Sequence, residues 1–103
     1  MDRIEKLKAF LSQDPADNFT QHALALEYIK TGNDAEGQRL FEEILNRDPG
    51  YTGSYYHLAK LHERNGNTAL AIEWYAKGME QAKKSGEVHA YNELRSAFEE
   101  LTF

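Results

Sequence analysis

Two stretches of this chain match each other at a distance of 34 residues. Residues 24–33 read LALEYIKTGN, and residues 58–67 read LAKLHERNGN. Both begin with Leu-Ala and end with Gly-Asn, and the same interval separates Asp14-Pro15 from Asp48-Pro49. A fixed period of roughly 20 to 50 residues is typical of a protein built from stacked repeats. The phase that these matches share predicts such an architecture.

Each repeat is predicted to form two helices. Its apolar residues recur at intervals of three and four, as one face of a helix requires. Gly32 and Gly66 each supply the left-handed residue that ends a helix, and Asn33 caps the helix that follows the first of them. Asp48-Pro49 ends the second helix, because proline has no N–H and disfavours helix at the residue before it. No strand is expected, and the predicted helices span residues 2–12, 18–31, 34–46, 52–65, 68–84 and 88–101.

Composition and charge narrow the class of protein. The chain has 103 residues, with 12 Lys and Arg against 17 Asp and Glu, so its formal net charge is −5. This length suits one compact domain, and an acidic chain lacks the basic face that a nucleic-acid binder needs. Cysteine is absent, and no apolar run approaches the ~20 residues of a membrane span. We therefore expect a single soluble, cytoplasmic domain with neither a nucleic-acid partner nor a membrane segment.

Residues at fixed places in the period resemble the tetratricopeptide repeat family. The family unit carries a Leu, a small residue, an aromatic and a turn Gly, followed by a small residue, an aromatic, a further small residue and a Pro. In the first copy the matching residues are Leu24, Ala25, Tyr28, Gly32, Gly37, Phe41, Ile44 and Pro49, and in the second they are Leu58, Ala59, His62, Gly66, Ala71, Tyr75 and Gly78. Lys83 replaces the second proline, and His62 replaces an aromatic, so we expect His62 to be a half-buried core residue.

This resemblance implies an all-α fold. Antiparallel helix–turn–helix repeats would stack as a short right-handed superhelix of about six helices, forming one tetratricopeptide-like domain over residues 1–103. The expected parts are an N-terminal half-repeat helix at 1–17, two full repeats at 18–51 and 52–85, and a C-terminal capping helix at 86–103.

The sequence contains no pattern of catalysis. It has no glycine-rich phosphate loop, no nucleophile elbow and no His-Glu-x-x-His helix, so we predict a non-enzymatic protein without a cofactor or metal. In the family that it resembles, the first helix of each repeat lines a concave groove that binds a peptide or helix of another protein. The side chains on those helices that repeat packing does not use are the predicted partner contacts: Phe19, His22, Leu26, Ile29, Lys30, Tyr56, His57, Lys60, Arg64 and His89.

Three interpretations of these contacts stay open. Phe19, Leu26 and Ile29 form an apolar strip, and Lys60 and Arg64 form a basic stripe. Together these suit a peptide with hydrophobic anchors and an acidic residue. The apolar strip can instead pair with a second copy, which would make the chain a structural unit that assembles into homo-oligomers. The three predicted groove histidines would hold zinc, or a carboxylate at low pH, only if they converge.

Overall fold

The computed structural model describes residues 2–103, and within that range it contains six helices and no strand. Every helix begins and ends within one residue of its predicted position, which confirms the all-α class. The elements are α1 (Arg3–Gln13), α2 (Asn18–Lys30), α3 (Asp34–Arg47), α4 (Gly53–Arg64), α5 (Thr68–Ser85) and α6 (Val88–Thr102).

Local chemistry explains where these helices begin and end. Gly32 and Gly66 adopt φ angles of 87° and 81°, in the left-handed region that glycine enters without steric cost, so they close the predicted turns. Asp2 and Asp17 cap α1 and α2, since each carboxylate accepts a hydrogen bond from a backbone N–H three residues further on. All four residues act on their immediate neighbours in the chain.

The helices form two compact units, and the first is Met1–Arg47. In this unit α2 packs against both α1 and α3. Only three residues connect α2 to α3, so these two helices run antiparallel. Buried apolar side chains on α2 and α3 fill the interface between them: Leu24, Ala25, Leu40, Phe41, Ile44 and Leu45.

The second unit is Asp48–Phe103, in which α5 packs against both α4 and α6. Ala59 and Tyr75 are fully buried there. Gly78 allows α5 to approach both neighbours, because a Cβ at that position would lie 2.7 Å from Tyr55 Cβ and 3.0 Å from Leu94 Cδ1. A small residue of the repeat pattern therefore stands where helices cross closely.

His62 departs from expectation. The prediction of a half-buried side chain is wrong, because only 3% of His62 is exposed. Its Nε2 atom has no hydrogen-bond partner among residues 2–103. A buried polar atom without a hydrogen-bond partner lowers the stability of the fold. An aromatic side chain, which the family pattern has at this position, would not bury an unpaired nitrogen in the second repeat.

Within residues 2–103, each helix is too short or too polar to cross a membrane. None of the six helices crosses a predicted repeat boundary, since α1 lies within 1–17, α2 and α3 within 18–51, α4 and α5 within 52–85, and α6 within 86–103. The division into half-repeats and full repeats, and the right-handed stacking of the repeats, stay predictions.

Candidate functional site

Five predicted contact residues lie on α2 in the first unit. Phe19 is 74% exposed. Lys30 is also exposed, whereas His22 and Leu26 are half-buried. The His22 ring meets the buried Phe41 ring edge to face, with 5.2 Å between the ring centroids. The accessible part of this face is therefore mainly Phe19 and Lys30, with Leu26 beside them.

Ile29, a predicted groove contact, is half-buried, and part of its side chain packs against α3. A Cβ at Gly37 of α3 would lie 2.6 Å from Ile29 Cγ1 and 3.0 Å from Ile29 Cδ1. Gly37 is buried, and Ile29 occupies the space that its missing side chain leaves. Part of the predicted apolar strip therefore belongs to the interface between α2 and α3.

In the second unit, three predicted contact residues border a pair of adjoining clefts between α4 and α6. The larger, which we term the α4–α6 cleft, measures about 220 Å³ and is lined by Tyr56, Lys60, Glu93, Ser96, Ala97 and Glu100. The smaller measures about 150 Å³ and shares Tyr56 and Glu93 with it; its other lining residues are Thr52, Gly53, His57, Ala90 and Leu94. Tyr56, His57 and Lys60 thus lie beside concave surface, while Arg64 and His89 are exposed at other points of α4 and α6.

Charged groups around the α4–α6 cleft are predominantly acidic. Lys60 Nζ lies 3.7 Å from Glu63 Oε1 and 5.6 Å from the centroid of the Tyr56 ring. The Tyr75 hydroxyl donates a hydrogen bond of 3.0 Å to the same carboxylate oxygen of Glu63. Since Lys60 is already compensated by Glu63, the predicted basic stripe offers less positive charge than its sequence spacing indicates.

The three predicted groove histidines have different surroundings. Burial lowers the pKa of His57, and the nearby Glu93 carboxylate opposes this effect only in part. His89 is 93% exposed at its side chain, and its Nε2 lies 3.4 Å from Glu93 Oε1. Within residues 2–103, no three His, Cys, Asp or Glu side chains converge in a way that could hold a metal ion.

Sequence reasoning missed part of the concave surface. Glu100 was not predicted as a contact, although it lies seven residues after Glu93 and therefore shares its helix face. The spacing from Glu93 through Ser96 and Ala97 to Glu100 was a signal that would have found it. A cleft of about 320 Å³ in the first unit was missed as well, and its walls include Lys8 and Tyr28. Another cleft, of about 250 Å³, lies near the turn from α5 to α6 and is lined mainly by apolar surface, including Val88 and Tyr91.

Comparison with known proteins gives consistent results. The family model described as tetratricopeptide repeat matches residues 28–91. The solution structure of a tetratricopeptide repeat domain protein from Salinibacter ruber is 44% identical, with a TM-score of 0.81 over 84% of this chain and 88% of that one. A protein from Bordetella parapertussis is 22% identical and shares the fold, with a TM-score of 0.84 over 99% of this chain and 89% of that one.

Curated relatives are much longer proteins. Interferon-induced protein with tetratricopeptide repeats 3 from Mus musculus is 29% identical over 76 residues, which cover 74% of this chain and 19% of the relative. The chain therefore spans about a fifth of the length of that relative. Tetratricopeptide repeats generally mediate protein–protein interaction, and their fold is generally a non-enzymatic scaffold. With its family-model match, its repeat pattern and its helix pairs, this chain belongs to the tetratricopeptide repeat family.

Proposed function

We propose that this chain is a non-enzymatic recognition module that binds a peptide or helix of a partner protein. The contacts would come from the accessible faces of α2, α4 and α6. The observation that carries the proposal is the pair of clefts between α4 and α6, which three residues predicted from the repeat pattern border: Tyr56, His57 and Lys60. Concave surface with an aromatic side chain and a few polar groups is typical of a binding site.

The residues of the proposed contact surface divide by role. Tyr56 presents a rigid ring that can anchor an apolar side chain at low entropic cost. Lys60 and His57 supply polar groups on either side of it. In the first unit, Phe19 and Leu26 offer apolar surface and Lys30 a charge. The acidic composition of the whole chain favours a protein over a nucleic acid as the partner.

A displayed library of random peptides tests this proposal directly. The purified chain is used to select peptides, and the affinity of each selected peptide is measured by fluorescence anisotropy. Ser96→Trp places a large side chain in the α4–α6 cleft, whereas Ala76→Trp places the same side chain on an exposed position of α5. We expect Ser96→Trp to abolish binding and Ala76→Trp to leave it unchanged. Equal binding by both variants would contradict the proposed location.

A second function is favoured by one observation in the first unit. Phe10 and Phe19 are 69% and 74% exposed, and exposed aromatic surface of this kind is often an interface between subunits. In this alternative the chain is a structural unit that forms homo-oligomers. Gel filtration with light scattering separates the two functions, since a dimer that dissociates on Phe19→Asp supports self-assembly and a monomer at micromolar concentration contradicts it.

A further inference from the structure

We infer that the partner segment carries a lysine or arginine side chain, which docks in the α4–α6 cleft between Glu93 and Glu100. This inference rests on the proposed function and specifies the chemistry of the ligand. It differs from the acidic ligand residue that the sequence predicts from Lys60 and Arg64. The reason lies in the charges that the second unit places around the cleft.

The two carboxylates are arranged along one wall of the cleft. Glu93 and Glu100 are seven residues apart on α6, so they lie on the same face and about 10 Å apart along the helix axis. Ser96 and Ala97 lie between them and also line the cleft. Because both of these residues are small, the wall between the carboxylates is open to an incoming side chain.

The residues lining the cleft include two carboxylates, Glu93 and Glu100, and one cation, Lys60. Lys60 is the one cation among the residues lining the cleft, and its ammonium group is held by Glu63 at 3.7 Å. Glu93 Oε1 lies 3.4 Å from Nε2 of His89, whose imidazole is almost fully exposed to solvent. Glu100 has no ion-pair partner within the part of the chain that the structure describes. An acidic ligand residue would be repelled here, and a basic one would be attracted.

The remaining surface of the cleft suits the rest of a basic side chain. Tyr56 of α4 lines the cleft across from the α6 residues and offers an aromatic ring to it. Aromatic faces attract cations, and arginine in particular stacks on them while its guanidinium binds carboxylates. The methylene groups of either basic side chain would pack against Ala97 and the Tyr56 ring.

The test uses the random peptide library with two double variants. Glu93→Gln with Glu100→Gln removes the two cleft charges. Glu73→Gln with Glu80→Gln makes the same change in net charge on exposed positions of α5. We expect the parent and the α5 variant to select peptides enriched in Lys and Arg, and the cleft variant to lose this enrichment. For a selected basic peptide, we expect the affinity to fall about threefold per carboxylate removed and about tenfold for both. Added salt should weaken parent binding more than cleft-variant binding.

The outcomes separate this inference from the function on which it rests. Selected peptides rich in Asp or Glu, or basic peptides that bind the cleft variant as tightly as the parent, overturn the inference and leave the recognition module intact. A dimer that dissociates when the cleft charges are removed also overturns it, because a second copy would then occupy the cleft. If no peptide is enriched, both proposals fail. Melting temperatures of the variants verify that each remains folded.

Discussion

Because Ile29 packs against Gly37, we expect alanine at this helical glycine to destabilise the protein. Replacing a glycine by alanine inside a helix normally stabilises it by about 1 kcal/mol, because alanine loses less backbone freedom on folding. Gly37 lies within α3, so propensity alone predicts a stabilised Gly37→Ala variant. The structure predicts the opposite, since the new Cβ would lie 2.6 Å from Ile29 Cγ1.

The magnitude follows from the size of this overlap. Ordinary van der Waals contact of a Cβ atom begins near 3.4 Å, so Ile29 Cγ1 must move by about 0.8 Å to accommodate the Gly37→Ala side chain. Overpacking of this kind costs about 1–3 kcal/mol, which offsets or exceeds the gain in propensity. We expect Gly37→Ala to lower the free energy of unfolding by up to about 2 kcal/mol.

Ile29→Ala reverses the sign of this effect. That substitution removes Cγ1 and Cδ1, and the nearest remaining obstacle to the Gly37→Ala Cβ is the carbonyl oxygen of Ala25 at 3.2 Å. In the Ile29→Ala background we therefore expect Gly37→Ala to be neutral or to stabilise by up to about 1 kcal/mol. The coupling energy between the two positions should be about 1–3 kcal/mol.

Urea denaturation of the four proteins in this cycle, followed by far-ultraviolet circular dichroism, measures the coupling. The reasoning is refuted if Gly37→Ala stabilises the parent as much as it stabilises the Ile29→Ala protein. That result would mean that Ile29 does not pack on α3 and is available as a groove contact. The cycle therefore also decides how far the predicted apolar strip extends.

Four further substitutions follow from contacts in the second unit. Gly78→Ala should destabilise by about 1–3 kcal/mol with or without Tyr55→Ala, because the obstacle at 2.7 Å is Tyr55 Cβ, which alanine retains; relief by Tyr55→Ala in a double-mutant cycle would contradict this. His62→Phe should raise the free energy of unfolding by about 1 kcal/mol, since it removes the buried unpaired Nε2, and an unchanged or lower melting temperature argues against it. Burial lowers the folded-state pKa of His57 below its ordinary value of 6.5, so the stability that the neutral His57 contributes is present above pH 6.5 and is lost as the pH falls below that value. His57→Gln should therefore reduce the fall of the melting temperature in acid. Parent and variant melting temperatures that fall in parallel with pH would refute this prediction. Tyr75→Phe should cost about 1 kcal/mol in urea denaturation, because it removes the hydrogen bond to Glu63, and no loss would show that the bond contributes nothing.

The order and limits of the helices were open to prediction because their signals are local. Apolar spacing of three and four residues, the turn glycines Gly32 and Gly66, and the proline at Pro49 act within a few residues of their own positions. The repeat pattern also located Ala59, which is fully buried, and Gly78, which stands at a close helix crossing. Small residues at such places are detectable in a sequence once a period aligns two copies.

Side-chain partners required the tertiary structure. Ile29 has groove spacing in the sequence, yet it fills the space above Gly37 on another helix. The pairing of Lys60 with Glu63 is an i, i+3 contact within α4, but the hydrogen bond from the Tyr75 hydroxyl to the same carboxylate joins α5 to α4. Such facts depend on distances between helices and on the rotamers that packing selects, neither of which a helical period specifies.

The sequence by itself determined that this chain is a helical repeat protein, where its helices begin and end, and which small residues recur in each repeat. Those properties follow from backbone preferences and from the periodicity of apolar residues, which act over one or two helical turns. The tertiary structure decided that His62 is buried with an unpaired nitrogen, and that Glu93 and Glu100 border one cleft opposite Tyr56. Burial and net charge at a surface are sums over several helices, so they exist only once those helices have packed.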